Sequence, residues 1–122
     1  MSVEENKAII RRHVEEWSNK NPVAAIDELV ATDWVSHDLD GDHVGIVGFR
    51  QFHIDQANTL PDRTYTITDM IAEGDKVAFM LEYRYTDPTT GQKRASTGVN
   101  IYRVSEGKMK EFWHVWQAER LA

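Results

Sequence analysis

The sequence predicts an α+β fold in which three N-terminal helices pack on one face of a curved antiparallel sheet. Apolar residues recur at helical spacing as far as Leu60, with one short extended interruption. After Asp62 the period changes from 3.6 to 2. Turn sequences then divide the second half, at Glu73-Gly74-Asp75, Pro88-Thr89-Thr90-Gly91 and Ser105-Glu106-Gly107.

Each element follows from its residues. Ser2 caps the first helix, with Glu5 three positions on to complete a capping box. Ile10, His13, Val14 and Trp17 form its apolar stripe, and Asn19-Lys20-Asn21 ends it. Pro22 suits the first turn of a second helix, whose stripe is Ala25, Ile26, Leu29 and Val30. A short strand, Trp34 to His37, runs into a polar loop. Gly45 and Gly48 introduce a third helix with Phe49, Phe52, His53, Gln56 and Ala57 on one side, and Leu60-Pro61-Asp62 stops it. Four strands follow as a meander. In the second of them Val77, Phe79, Leu81, Tyr83 and Tyr85 take one face.

With 122 residues the chain makes one domain, residues 1–122, large enough to bury a core. A net charge of −6 is a poor match for nucleic acid or an anionic membrane. The absence of cysteine excludes disulfides and thiolate metal sites. No apolar run approaches the roughly 18 residues of a membrane span, and the N-terminus is polar and acidic, unlike a secretory signal. A cytoplasmic protein is expected. There is no phosphate loop, dinucleotide fingerprint, nucleophile elbow or H-E-x-x-H.

A sheet bent around a few helices leaves a conical hole, lined by one parity of each strand and the inner helix faces. On the last strand, alternation puts Trp113, Val115 and Gln117 on one face and Phe112, His114 and Trp116 on the other. One set faces the interior and the other meets a second subunit. Taken alone, Trp113 and Trp116 read most simply as core and interface aromatics. Gly98, Asn100 and Tyr102 share a face of the preceding strand. An Asn between Val99 and Ile101 either satisfies backbone groups or points at a ligand, and Gly98 leaves room beside it. Tyr83 offers a hydroxyl to the same space. His37-Asp38 stands at the end of the first strand, and a histidine is the natural proton carrier near neutral pH. His53, on the apolar side of the third helix, is the other candidate base. His37, Asp42 and His43 match no established metal spacing, so no metal is expected.

The stretches WVSHD, GIVGFRQF, LPDRTYTITDMIAEGDKVAF, STGVNIYRVSEGKMKEFW and HVWQ resemble, in order and spacing, the SnoaL-like polyketide cyclase branch of the nuclear transport factor two-like superfamily. The resemblance covers most of the chain. It implies a cone-shaped α+β fold with a deep apolar pocket, dimeric through the open sheet face. It implies ring closure by aldol condensation without cofactor or metal, with a carboxylate near the end of the last strand as acid and base. The family pattern there is similar to E-H-W-x-x-W-D, and here Gln117 stands in the place of the acid. An amide cannot take that proton at neutral pH.

The sequence therefore points to a cofactor-independent pocket protein acting on a small hydrophobic carbonyl compound by proton transfer, of aldol cyclase, isomerase or lyase type. His37, Asp38, His53 and Gln117 are the candidate catalytic positions. Trp17, Phe52, Leu81, Tyr83, Gly98, Asn100 and Trp113 are expected to line the substrate site. The alternatives are a pocket that binds without chemistry, a dimeric interaction module and, ranked lower, an epoxide hydrolase.

Overall fold

The computed structural model describes residues 2–17, 22–38 and 40–122, the side chain of Trp17 excepted. Three helices, α1 (Val3–Trp17), α2 (Pro22–Leu29) and α3 (Ile46–Thr59), cover one face of a seven-stranded sheet. The strands are β1 (Val30–Asp38), β2 (Gly41–Val44), β3 (Thr64–Glu73), β4 (Lys76–Thr86), β5 (Lys93–Ser105), β6 (Lys108–Trp116) and β7 (Arg120–Leu121). Their order is β2-β1-β6-β5-β4-β3, with β7 added to β5. The expected α+β class and the three helices hold, but the sheet is mixed, because β1 runs parallel to β6.

Local chemistry explains the helices. Ser2 Oγ accepts from the Glu5 backbone N–H, and the Glu5 carboxylate accepts from the Ser2 N–H, both at 3.1 Å, so the capping box is formed. Helix α1 buries Ile10, His13 and Val14, and α2 buries Pro22, Ala25, Ile26 and Leu29. Gly45 precedes α3 at φ 99°, a left-handed conformation that side chains avoid, and its N–H donates to the Trp34 carbonyl at 2.7 Å. The expected break at residues 19–21 lies outside the described residues.

Helix α2 passes into β1 without a loop, so this strand is longer than Trp34–His37. Val30 opens it instead of closing the helix stripe. The core joins Ile10, Val14, Ile26, Leu29, Trp34, Val77, Phe79, Leu81, Tyr102, Val104, Met109 and Phe112. Fully burying such side chains contributes about 1.5–3 kcal/mol each before entropy is counted.

One irregularity decides the site. Val104 pairs with Met109 and Arg103 with Glu111, so Lys110 is an extra residue in β6. Met109 and Phe112 are both buried although an odd number of steps apart. Beyond Lys110 the even-numbered residues therefore face the helices, reversing the alternation that starts at Met109.

Candidate functional site

Between the helices and the inner sheet face lies a cavity of about 870 Å³. Trp34, Phe49 and Phe112 supply apolar wall, with Tyr65, Tyr83 and Tyr85 along one side and Phe52 at the rim, 54 % exposed. Ser36, Asp38, Asn100 and His114 bring polar side chains together from β1, β5 and β6.

Their assembly follows from the parallel pairing of β1 with β6. His37 is in register with Trp113 on the outer face. The next residue on each strand, Asp38 and His114, therefore lies on the inner face, side by side. Nε2 of His114 makes a short contact with Asp38 Oδ1. Ser36 Oγ donates to the same carboxylate oxygen at 3.0 Å. The second oxygen, Oδ2, lies 3.5 Å from Nε2 of His43, which is itself held by Asp40 at 3.0 Å. On its other side the His114 ring receives the Trp116 indole N–H at Nδ1, 3.0 Å away. An indole nitrogen can only donate. Nδ1 is therefore the acceptor, and the ring proton sits on Nε2, facing Asp38. The His114 ring also stacks on Phe112, with centroids 4.4 Å apart.

Asn100 is the direct cross-strand partner of His114. It lines the cavity, is only 1 % exposed, and its Nδ2 has no hydrogen-bond partner. Nε1 of Trp34, another cavity residue of 1 % exposure, is likewise unpartnered. Buried donors are normally satisfied, so unpaired ones in a cavity wall mark where a ligand acceptor gains most. On the opposite wall Tyr83 donates to Gln56 Oε1 at 2.7 Å and stacks on Tyr65, centroids 4.6 Å apart. Burial pushes the Tyr65 phenol up to about 12 and raises Tyr83 further, so both stay protonated.

His53 also lines the cavity. Burial, reinforced by the nearby Arg63 charge, lowers its pKa to about 3. It is a neutral imidazole suited to hydrogen bonding, and a weak proton acceptor.

Three expected site residues face outward, away from the cavity. His37 points away from the cavity. Its Nε2 contacts Glu111 at 2.6 Å, its Nδ1 contacts Asp42 at 2.7 Å, and its ring stacks on Trp113 at 4.9 Å. Hydrogen bonds to Glu111 and then Asp42 raise its pKa, while Arg103 and then His37 lower that of Glu111. Trp113 belongs to this outer cluster, with Lys76 Nζ 5.3 Å from its ring centre. The side chain of Gln117 is exposed and takes no part in the cavity wall. The extra residue at Lys110 is the physical reason for both of the last two, because it turns Trp113 and Gln117 outward and brings His114 and Trp116 in. With Gln117 taken as the inward residue, the set of Phe112, His114 and Trp116 was the one expected to meet a second subunit.

Of the other expected residues, Asp38, Phe52, His53, Tyr83 and Asn100 line the cavity, while Leu81 is buried in the core. Gly98 lies beneath the Trp116 ring. The side chain of Trp17 is outside the described residues. Sequence reasoning missed Ser36, His114 and Trp116 as site residues. The one signal for the last two was that Met109 and Phe112 are both apolar at odd spacing. Asp38, Asp40 and His43 each bring one ligand atom within 4.8 Å of the others, the one group among the described residues that could hold a metal ion. Asp38 is already engaged by His114 and Ser36, and Asp40 and His43 are exposed.

A family model described as SnoaL-like domain matches residues 10–112. AclR of Streptomyces galilaeus, a candidate hydroxylase, superposes with a TM-score of 0.83 at 24% identity, over 95% of this chain and 91% of its own. IdmH of Streptomyces antibioticus, a candidate polyketide cyclase, gives 0.80 at 24% identity, over 92% and 91%. A candidate polyketide cyclase of Acidithiobacillus ferrooxidans gives 0.79 at 20% identity, over 96% and 92%. At these identities the likeness is one of fold. No curated protein sequence matches the chain.

Proposed function

The chain belongs to the SnoaL-like domain family, in the nuclear transport factor two-like superfamily, and from that premise we propose that its cavity carries out cofactor-independent proton transfer on a small hydrophobic carbonyl compound. The observation that carries the proposal is the Asp38–His114 pair inside the cavity, with the unpartnered amide of Asn100 beside it.

In this scheme Asp38 Oδ2 takes a proton from the carbon next to a substrate carbonyl. The electron pair moves onto the carbonyl oxygen, and Asn100 Nδ2 donates to the resulting enolate. His114 and Ser36 hold Oδ1, which orients the carboxylate. Return of the proton to another carbon of the enolate is isomerisation. Attack of the enolate carbon on a second carbonyl of the same molecule closes a ring, and Asp38 then protonates the new alkoxide. The carboxylate thus comes from the end of β1, on the opposite side of the His114 ring from Trp116, and Gln117 has no part in the chemistry. The apolar wall and the volume suit a substrate with fused or linked rings.

The test is exchange of substrate α-protons for deuterium, followed by NMR, across a panel of hydrophobic ketones and diketones. Catalysed exchange that saturates with substrate supports the proposal. Saturable thermal stabilisation with no exchange by any compound would reject it in favour of a pocket that only binds.

A second copy of this chain is the proposed partner. The outer sheet face exposes Ile71, Met80, Val99, Ile101 and Val115, an apolar surface on the side away from the helices.

A further inference from the structure

The geometry points to Gly98 and Trp116 as positioning residues that fix the proton of His114 on Nε2, and thereby reserve Asp38 as the proton acceptor of the site. Their role in turnover rests on the proton-transfer reading above; the tautomer does not.

Gly98 and Trp116 are directly opposed on β5 and β6. A methyl group at Gly98 would lie 2.6 Å from Cδ2 of Trp116, 2.7 Å from Cε3 and 2.8 Å from Cε2. Side-chain carbons do not approach so closely, so the indole rests against the backbone of β5 in a position that only glycine leaves open. Held there, its Nε1 reaches Nδ1 of His114, two residues back on the same face, at 3.0 Å. Phe112 stacks on the His114 ring at 4.4 Å and limits its tilt.

The alternative tautomer is opposed at both ends. With the proton on Nδ1, two N–H groups would face each other across 3.0 Å. The lone pair of Nε2 would then face the Asp38 carboxylate. Two hydrogen bonds would be exchanged for two repulsions. The imidazole therefore presents a donor to Asp38 and no basic nitrogen to the cavity. Asp38, with Oδ1 occupied and Oδ2 less engaged, is left to take the proton. The device links a backbone feature, the missing side chain at Gly98, to the proton location three atoms beyond the indole ring.

The experiment is two-bond nitrogen–proton NMR of the full-length, ¹⁵N-labelled protein, with His114→Asn assigning the His114 signals. Wild type is expected to show the pattern of a single Nε2–H tautomer. Because the Asp38 carboxylate by itself also favours Nε2–H, the indole is tested in Asp38→Ala. There the single Nε2–H tautomer is expected to persist, and adding Trp116→Phe, which removes the N–H, or Gly98→Ala, which displaces the indole, is expected to give a mixture of tautomers. Unchanged His13 and His53 signals verify the fold, and Trp116→Phe alone decides the matter if Gly98→Ala does not fold. An Nδ1–H pattern in wild type, or a pure Nε2–H pattern surviving when Trp116→Phe is added to Asp38→Ala, would overturn the assignment. In the deuterium-exchange assay, Trp116→Phe should lower kcat roughly tenfold with KM little changed. A wild type without exchange removes the proton-transfer reading and the catalytic role with it, while the nitrogen spectra still decide the tautomer.

Discussion

Asn100 and His114 face each other across β5 and β6 on the inner side of the sheet. A cross-strand pair of this kind has Cβ atoms about 4.5–5.5 Å apart. An oxygen held by the Asn100 amide therefore places the adjoining carbon of the same molecule near Asp38, the partner of His114. That spacing suits removal of a proton next to a carbonyl.

Replacement of Asp38 tests the acceptor. Asp38→Asn keeps the shape and a hydrogen bond to His114 but removes the basic oxygen. Exchange should fall by roughly 10²–10⁴-fold, the range typical of general acid–base groups. His114→Gln, which leaves the carboxylate in place, should cost less than Asp38→Asn. The reverse ranking would assign the base to the imidazole.

Asn100→Leu removes the donor while keeping the branched outline of the side chain. A group that acts on developing charge affects kcat more than KM. A loss of roughly a hundredfold in kcat is expected, with KM changed by no more than about threefold. An increase in KM at constant kcat would make Asn100 a ground-state binding residue.

The stability of the fold should decline in acid because of its buried histidines. Folded His53 stays neutral down to about 3, whereas an unfolded histidine takes its proton near 6.5. Between those values the unfolded chain holds the extra proton. Stability is therefore present above about 6.5 and is lost as the pH falls, by up to about 1.4 kcal/mol per pH unit from this group. His13, also lowered chiefly by burial, acts in the same direction. Thermal unfolding of His53→Gln should show a shallower decline from about pH 7 to about pH 5 than wild type. Parallel slopes would remove His53 from the account.

Met80 is 41 % exposed on the outer sheet face. Met80→Glu should change the stability of the isolated subunit by no more than about 0.5 kcal/mol. It should shift sedimentation from dimer to monomer and leave ligand-induced stabilisation intact. A wild-type sedimentation profile in the variant would reject this face as the contact between copies.

The fold class was legible because periodicity is local. Burial of Ile10, Val14, Ala25 and Leu29 needs only the helical repeat, and that of Val77, Phe79 and Leu81 only strict alternation. The Ser2–Glu5 capping box is a contact between near neighbours, and it formed. Tyr83 and Asn100 could be placed at the cavity for the same reason: each is a polar residue at a position whose parity its own strand reveals. His37 and Asp38, neighbours that face opposite ways, were both candidates until the pairing with β6 turned Asp38 inward.

Two features were decided only in three dimensions. The extra residue at Lys110 inverts the faces of β6, and its one trace in the run KMKEFWHVW is the odd spacing of Met109 and Phe112, which does not say which residue is extra. The parallel pairing of β1 with β6 then brings Asp38 to His114 from 76 residues away. By itself the sequence determined the three helices, the four strands of the meander and the chemical types available, whereas β2, expected as a polar loop, and β7 exist through their pairing with β1 and β5. Which histidine meets which carboxylate depended on strand order and register, and those are set by the packing of the whole sheet against its helices because no local pattern encodes them.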